Sequence, residues 1–126
     1  MSGFAFDANI LIDSLNGLEA AKAEIERATD IGGRAWISRM VWIEVLSKET
    51  STSVKAAEFF LSGFGMDEID RETSARAAAL RRQRPRLRSP DAIILASAQV
   101  HNRILVTRNT KDFPAEMPGI RVPYIL

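Results

Sequence analysis

Apolar positions recur along this chain in two periods, and the alternation between them predicts the architecture. Gly3 to Phe6 is an apolar run of strand length that stops at Asp7. From Ile10 to Ala28, the residues Ile10, Leu11, Leu15, Leu18, Ala21 and Ile25 return at helical spacing. One helix is expected there, its apolar face broken by Gly17 and its end marked by Gly32 and Gly33. "AWIS" reads as a second brief strand. Ser38 is placed to cap a helix through Glu49 whose apolar side carries Val41, Trp42, Val45 and Leu46. A further helix is expected over Ser53 to Leu61. "FGMDEID" then reads as a third strand with Phe64, Met66 and Ile69 alternating, and an alanine- and arginine-rich helix should run from Glu72 to Gln83.

Pro85 breaks that helix, and "SPDAIILASAQ" opens the next with Ser89 at the cap, Pro90 at the first helical position and Asp91 in the first turn. Residues Ala92 to Val100 are apolar nearly all round, which predicts a helix buried on most sides. "RILVT" is a fourth strand, "RNTKDFPAEMPG" a loop and "RVPYIL" a closing strand. Strands that alternate with helices require crossover connections. The pattern therefore predicts a mostly parallel central sheet flanked by helices on both faces, a three-layer α/β/α fold. Ligands of such folds bind beyond the carboxyl ends of the strands.

Length and composition narrow the picture. At 126 residues with 46% hydrophobic positions, one domain spanning 1–126 is expected. No stretch of about 18 or more apolar residues and no basic-then-apolar leader is seen, so no membrane partner is expected. The absence of cysteine excludes disulfides, zinc-thiolate sites, iron-sulfur clusters and thiol nucleophiles, and suits a cytoplasmic protein. Net charge is only +1, but its distribution is uneven. Seven arginines and a single acid lie between Arg71 and Arg88, a local charge of +6 in an otherwise acidic chain. Such a segment suits the phosphates of a nucleic acid, with Arg82, Arg84 and Arg86 as the candidate contacts; a solvated face or a patch for an acidic protein would look the same.

The acids supply the chemistry. Asp7 follows the first strand directly, and Asp112 lies with Asn109 in the loop after the fourth. Asp91 begins the buried helix, and Glu44 sits beside the apolar stripe of the helix after "AWIS". Four carboxylates on four elements are thus sent toward one edge. Taken singly, each has a plain explanation: Asp91 complements a helix dipole, Asp7 starts a turn, Glu44 is a surface residue and Asp112 a loop acid. Together they would repel one another without a cation. Hard oxygen ligands at an open edge suit Mg²⁺ or Mn²⁺, and such sites activate water for attack on phosphorus. Phosphodiester hydrolysis is the expected reaction. Asp13 is expected to face solvent on the first helix, the lone His101 to end a helix, and the Phe59, Phe60 and Phe64 cluster to belong to the core. No glycine-rich phosphate loop or GxSxG elbow is present.

Four segments, "FDANILID", "ISRMVWIEVL", "SPDAIILASAQ" and "ILVTRNTKDF", together resemble the PIN-domain nucleases, and among them the VapC-type toxins of toxin-antitoxin pairs. The resemblance implies a parallel sheet flanked by helices, metal-dependent cleavage of single-stranded RNA, homodimerisation and inhibition by a cognate antitoxin. Asp7, Glu44 and Asp91 match the family's first three acids. Asp112 is taken as the fourth, with Asn109 as a polar supporter, because family members place this acid at more than one position in the loop. Asp7 and Asp91 would be the direct metal ligands; Asn9 and Thr107 match positions that orient the acids. Position 8, often Thr or Ser in relatives, is Ala here, which removes one hydroxyl contact. Two other readings stay open: a catalytically weak PIN fold that only binds RNA or protein, and a receiver-like phospho-acceptor domain. The second would need a lysine ending a late strand, where Thr107 and Arg108 stand.

Overall fold

A computed structural model describes residues 3–126. Five strands form one sheet: β1 (Phe4–Phe6), β2 (Ala35–Ser38), β3 (Gly65–Asp67), β4 (Ile104–Val106) and β5 (Ile120–Arg121). Their order is β3-β2-β1-β4-β5, and every pairing is parallel. Six helices connect and flank them: α1 (Ala8–Leu15), α2 (Glu19–Gly32), α3 (Arg39–Ser47), α4 (Val54–Leu61), α5 (Arg71–Gln83) and α6 (Ser89–Val100). The expected three-layer fold is therefore the fold adopted.

The chain builds outward from β1 through β2 to β3, then returns to place β4 on the other side of β1. That reversal makes the β1/β4 boundary the switch point of the sheet, where a crevice opens at the carboxyl ends. Phe6 pairs with Val106 in register, so Asp7 and Thr107 leave the sheet side by side. The core lies on both faces of this pair: Phe6, Ile10, Leu11, Ile37, Val41, Ile94, Leu105 and Val106 are essentially inaccessible. Helix α6 is buried on most sides, as its apolar surface predicts. Ala92 and Ile94 to Ala98 are all buried.

The structure corrects several boundaries. The expected helix from Ile10 to Ala28 is two helices, because Gly17 is a stop rather than a flaw. With φ +90°, it lets its own N–H reach Ser14 O at 3.0 Å and lets Leu18 N–H reach Asp13 O at 3.0 Å, the paired bonds of a Schellman end. Ser89 is not the cap of α6. Arg88 holds that position in extended conformation and Ser89 opens the helix, so Pro90 stands one position further in. The third strand keeps only Gly65–Asp67 of "FGMDEID", and the closing strand only Ile120–Arg121 of "RVPYIL". Gly65 is required there, since a Cβ would stand 2.4 Å from the Trp36 ring. The phenylalanine cluster divides: Phe64 is buried and Phe59 is 82% exposed.

Asp13 is the largest correction. It is 8% exposed, not solvent-facing. Arg108 grips its two oxygens at 2.6 and 3.0 Å, and the Tyr124 hydroxyl donates to Oδ2 at 2.8 Å. One helical acid thus holds both the segment after β4 and the chain end. The Arg108 hydrogen bonds keep the Asp13 carboxyl below its usual range, against the opposing effect of burial.

Glu24 does comparable work on the opposite flank. Buried on α2, it accepts two bonds from Arg27 and two from Arg121 of β5, at 2.7 to 3.0 Å. Burial alone would raise its carboxyl; the two guanidinium groups overcome that and hold it down to about 2, against an ordinary 4.5. A depressed folded value means the stabilisation is complete above 4.5 and is lost as pH falls toward about 2. Glu24→Gln should therefore cost about 1–3 kcal/mol at neutral pH in urea titrations. The gap from the parent protein should close across that acid window, and a gap independent of pH would assign the effect to packing.

Candidate active site

Asp7 is built into the fold at three points. As N-cap of α1 it accepts from Ala8 N–H at 2.8 Å through Oδ1, satisfying a free donor of the first turn. Its Oδ2 accepts from the Thr107 hydroxyl at 2.7 Å and from Asn9 Nδ2 at 3.2 Å. Thr107 is fully buried and serves a third group, accepting from Asn109 N–H at 3.0 Å. Asn9 turns its carbonyl oxygen to Arg108 N–H at 3.3 Å. The switch point is thus closed by a polar network in which Asp7 is the central acceptor.

Asp112 is set by the same loop. Asn109 Nδ2 donates to its Oδ2 at 3.0 Å, while Asp112 N–H returns a bond to Asn109 Oδ1 at 3.3 Å. Phe113, wholly buried, plugs the loop into the core. Arg84 donates to the Asp112 carbonyl at 2.6 Å and so fixes the loop from the turn after α5. Asp91 enters from the first turn of α6 and is 7% exposed; Glu44 enters from α3 and is half-buried.

The electrostatics show that these acids face one another. Burial pushes the Asp91 carboxyl up, and the neighbouring Asp112 and Asp7 carboxylates push it further. Glu44 is raised by burial and then by Asp7 and Asp91. Asp7 is raised by burial in spite of its hydrogen bonds from Thr107, Ala8 and Asn9. All four expected acids therefore meet in one field of like charge. Among the described residues, no three acidic or histidine side chains are gathered tightly enough to form a ready-made metal cage.

Five acids are buried among the described residues, and their partners divide them into two groups. Asp13, Glu24 and Asp67 each receive a bidentate arginine, from Arg108, from both Arg27 and Arg121, and from Arg103 respectively. Asp7 and Asp91 receive none. The Oδ2 of Asp91 is buried without a hydrogen-bond partner among the described residues, and the nearest cation, Arg88 Nε, is 3.8 Å away on an 80% exposed side chain. A buried, unpartnered carboxylate oxygen beside other carboxylates suits a hard divalent cation, and the all-oxygen donor set fits Mg²⁺ or Mn²⁺. Arg88 also lowers Glu44, so it is a member of this neighbourhood that the spacing of motifs does not single out.

Of the three arginines expected to meet RNA, Arg84 and Arg86 flank the Asp112 side of the crevice, where they line a notch with Lys111. Arg82 lies instead with Ala78, Arg81 and Pro85 on a separate patch.

A parallel α/β sheet with acids gathered at its switch point places them where ligands of such folds bind. The family model described as the PIN domain matches residues 4–115. The chain belongs to the PIN domain family. It is similar in structure to a chain of a toxin-antitoxin complex from Klebsiella pneumoniae, with TM-score 0.85 and 38% identity, covering 97% of this chain and 98% of that one. The DNA-bound VapBC of Salmonella typhimurium shares the fold at TM-score 0.77 and 23% identity, covering 96% of each chain. VapBC2 from Rickettsia felis, bound to a promoter DNA fragment, does so at TM-score 0.77 and 20% identity, covering 93% and 94%. No curated protein matches the chain.

A raised folded pKa has the opposite sign to that of Glu24. The folded state holds extra protons, so the stability of the metal-free protein should fall as pH rises through the raised values of Asp7, Glu44 and Asp91. Asp91→Asn should flatten that decline and stay within about 1 kcal/mol of the parent at neutral pH, the relief of repulsion offsetting the weaker interaction with the helix dipole. Added Mg²⁺ should raise the melting temperature of the parent protein and leave that of the variant unchanged. Thermal melts across pH with and without Mg²⁺ check both; a severe loss of stability in Asp91→Asn would mark the acid as structural.

Proposed function

We propose that this protein is a metal-dependent endoribonuclease, the toxin of a toxin-antitoxin pair. The observation that carries the reading is the contrast between three buried acids held by arginine hydrogen bonds and two, Asp7 and Asp91, that have none at the switch point. Family membership and the similarity to a toxin-antitoxin complex support it. Asp7 and Asp91 would hold Mg²⁺ or Mn²⁺, with Glu44 and Asp112 completing the set directly or through water. Such an ion supplies Lewis acidity at phosphorus and a lowered pKa of bound water.

The protein's own part follows from the geometry. Asp7, fixed by three donors, is the rigid reference point of the site. Glu44, half-buried and raised by burial and by Asp7 and Asp91, is suited to accept a proton from a water approaching phosphorus. Asn9, Thr107 and Asn109 orient the acids. Arg88, Arg84 and Arg86 offset the charge of an incoming RNA strand, single-stranded or locally structured, with Arg82 acting further out. A cognate antitoxin would silence the enzyme, and a homodimer is the expected assembly.

Purified protein incubated with single-stranded RNA and Mn²⁺ or Mg²⁺ should cleave it, and chelation should stop cleavage. Asp7→Asn and Asp91→Asn should each lower the rate by at least about 100-fold while the folded spectrum is retained. Full activity of either variant with chelator present would exclude this mechanism. RNA binding without metal-dependent turnover would instead favour a catalytically weak binding module.

A further inference from the structure

The turn between α5 and α6 is built more tightly than a connection needs to be. Arg84 O accepts from Leu87 N–H at 2.9 Å across Pro85 and Arg86, closing a β-turn with proline in its second place. Arg84 N–H bonds back to Leu80 O at 2.9 Å, and Arg81 Nε donates to Leu87 O at 2.9 Å. Leu87, 2% exposed, pins the turn to the core. The result is a fixed platform whose Arg84 and Arg86 line, together with Lys111 and Asp112, a notch of about 490 Å³. Three cations and one acid line it. Arg84 spends one nitrogen on the Asp112 carbonyl, while its Nη1 is buried without a hydrogen-bond partner among the described residues.

We propose that this notch is a phosphate subsite: Arg84, Arg86 and Lys111 hold an RNA backbone phosphate next to the scissile one, which lies over the acids. The proposal rests on the ribonuclease reading and adds where the strand is gripped. Three features favour RNA phosphate over an acidic protein segment. Asp112 belongs both to the notch and to the group of acids around Asp91. It holds cations on a pre-ordered turn, which lowers the ordering cost of binding. Its guanidinium groups match phosphate geometry. Arg84 also joins the notch to the loop that carries Asp112, so a bound phosphate and the acid loop share one support.

The test uses the full chain and short single-stranded RNAs in which one linkage at a time is replaced by a neutral methylphosphonate, with binding measured in chelator so that no cleavage intervenes. One replacement, away from the cleaved linkage, should weaken binding about tenfold. It should have no effect in an Arg86→Ala/Lys111→Ala variant, whose salt dependence should be shallower by about 0.7 in log-log slope for each phosphate charge no longer neutralised. Both residues are exposed, so the variant is expected to fold. A variant that keeps the parent's phosphate profile and salt slope would overturn the proposal, as would one impaired only in antitoxin binding. Coupling without Mn²⁺-dependent cleavage by the parent would uphold the subsite and remove the nuclease reading. Cleavage without coupling would do the reverse.

Discussion

The hydrogen bond from the Thr107 hydroxyl to Asp7, 2.7 Å long and buried, is the interaction on which the rest of the crevice depends. Its partners are 100 residues apart and meet only once the chain has passed through β2 and β3 and returned to place β4 beside β1. A carboxylate taken from water without donors would cost several kcal/mol. Here Thr107 gives its single proton to Asp7 and uses its oxygen to accept from Asn109 N–H and Asn9 Nδ2, which exhausts a hydroxyl's capacity. Serine would offer the same proton, yet the β-branched threonine has fewer rotamers to lose at the end of a buried strand.

From this bond the constraints spread outward in order of rigidity. Asn9 passes the restraint to the backbone of Arg108, whose side chain grips Asp13, which in turn holds Tyr124. Asp112 depends on a local turn with Asn109 and on Arg84. Asp91 and Glu44, by contrast, are positioned by their helices and opposed by neighbouring charge. The crevice therefore combines acids held by hydrogen bonds, Asp7 and Asp112, with acids set by their helices, an arrangement that would suit an ion that keeps several waters and does not need a closed cage.

Much of this can be read from residue types alone, for identifiable reasons. The parallel sheet follows from alternating short apolar runs and helical periods. The placement of Asp7, Glu44, Asp91 and Asp112 around one edge follows because strand ends and the starts of returning helices share an edge by topology. What escapes such a reading are features that depend on distant partners. Asp13 resembles a surface acid because its neutralising groups, Arg108 and Tyr124, lie about a hundred residues on. Gly17 resembles a flaw in one helix because apolar spacing resumes almost in phase beyond it; only the positive φ and the two paired bonds reveal a stop. Arg82, Arg84 and Arg86 are equivalent in sequence, but the helix end and the proline turn send Arg82 to a different surface.

The sign of the charge at the crevice separates the catalytic reading from a purely binding one. An RNA strand is a polyanion, and a surface evolved only to hold it has no use for carboxylates where phosphates would lie. This chain neutralises Asp13, Glu24 and Asp67 with arginine where an acid is buried for structural ends. Arginine is plentiful in the turn beside Asp91, yet Arg88 stands 3.8 Å off and largely in solvent. Asp7 and Asp91, without an arginine hydrogen bond, leave carboxylate charge at an edge that would repel RNA on the proposed reading. A divalent cation would lift that repulsion, satisfying the free oxygen of Asp91 and turning a repulsive edge into an attractive one. On the proposed reading, the arginine platform then need only hold the strand, because the attraction over the scissile linkage comes from the ion that the unpaired acids are there to keep.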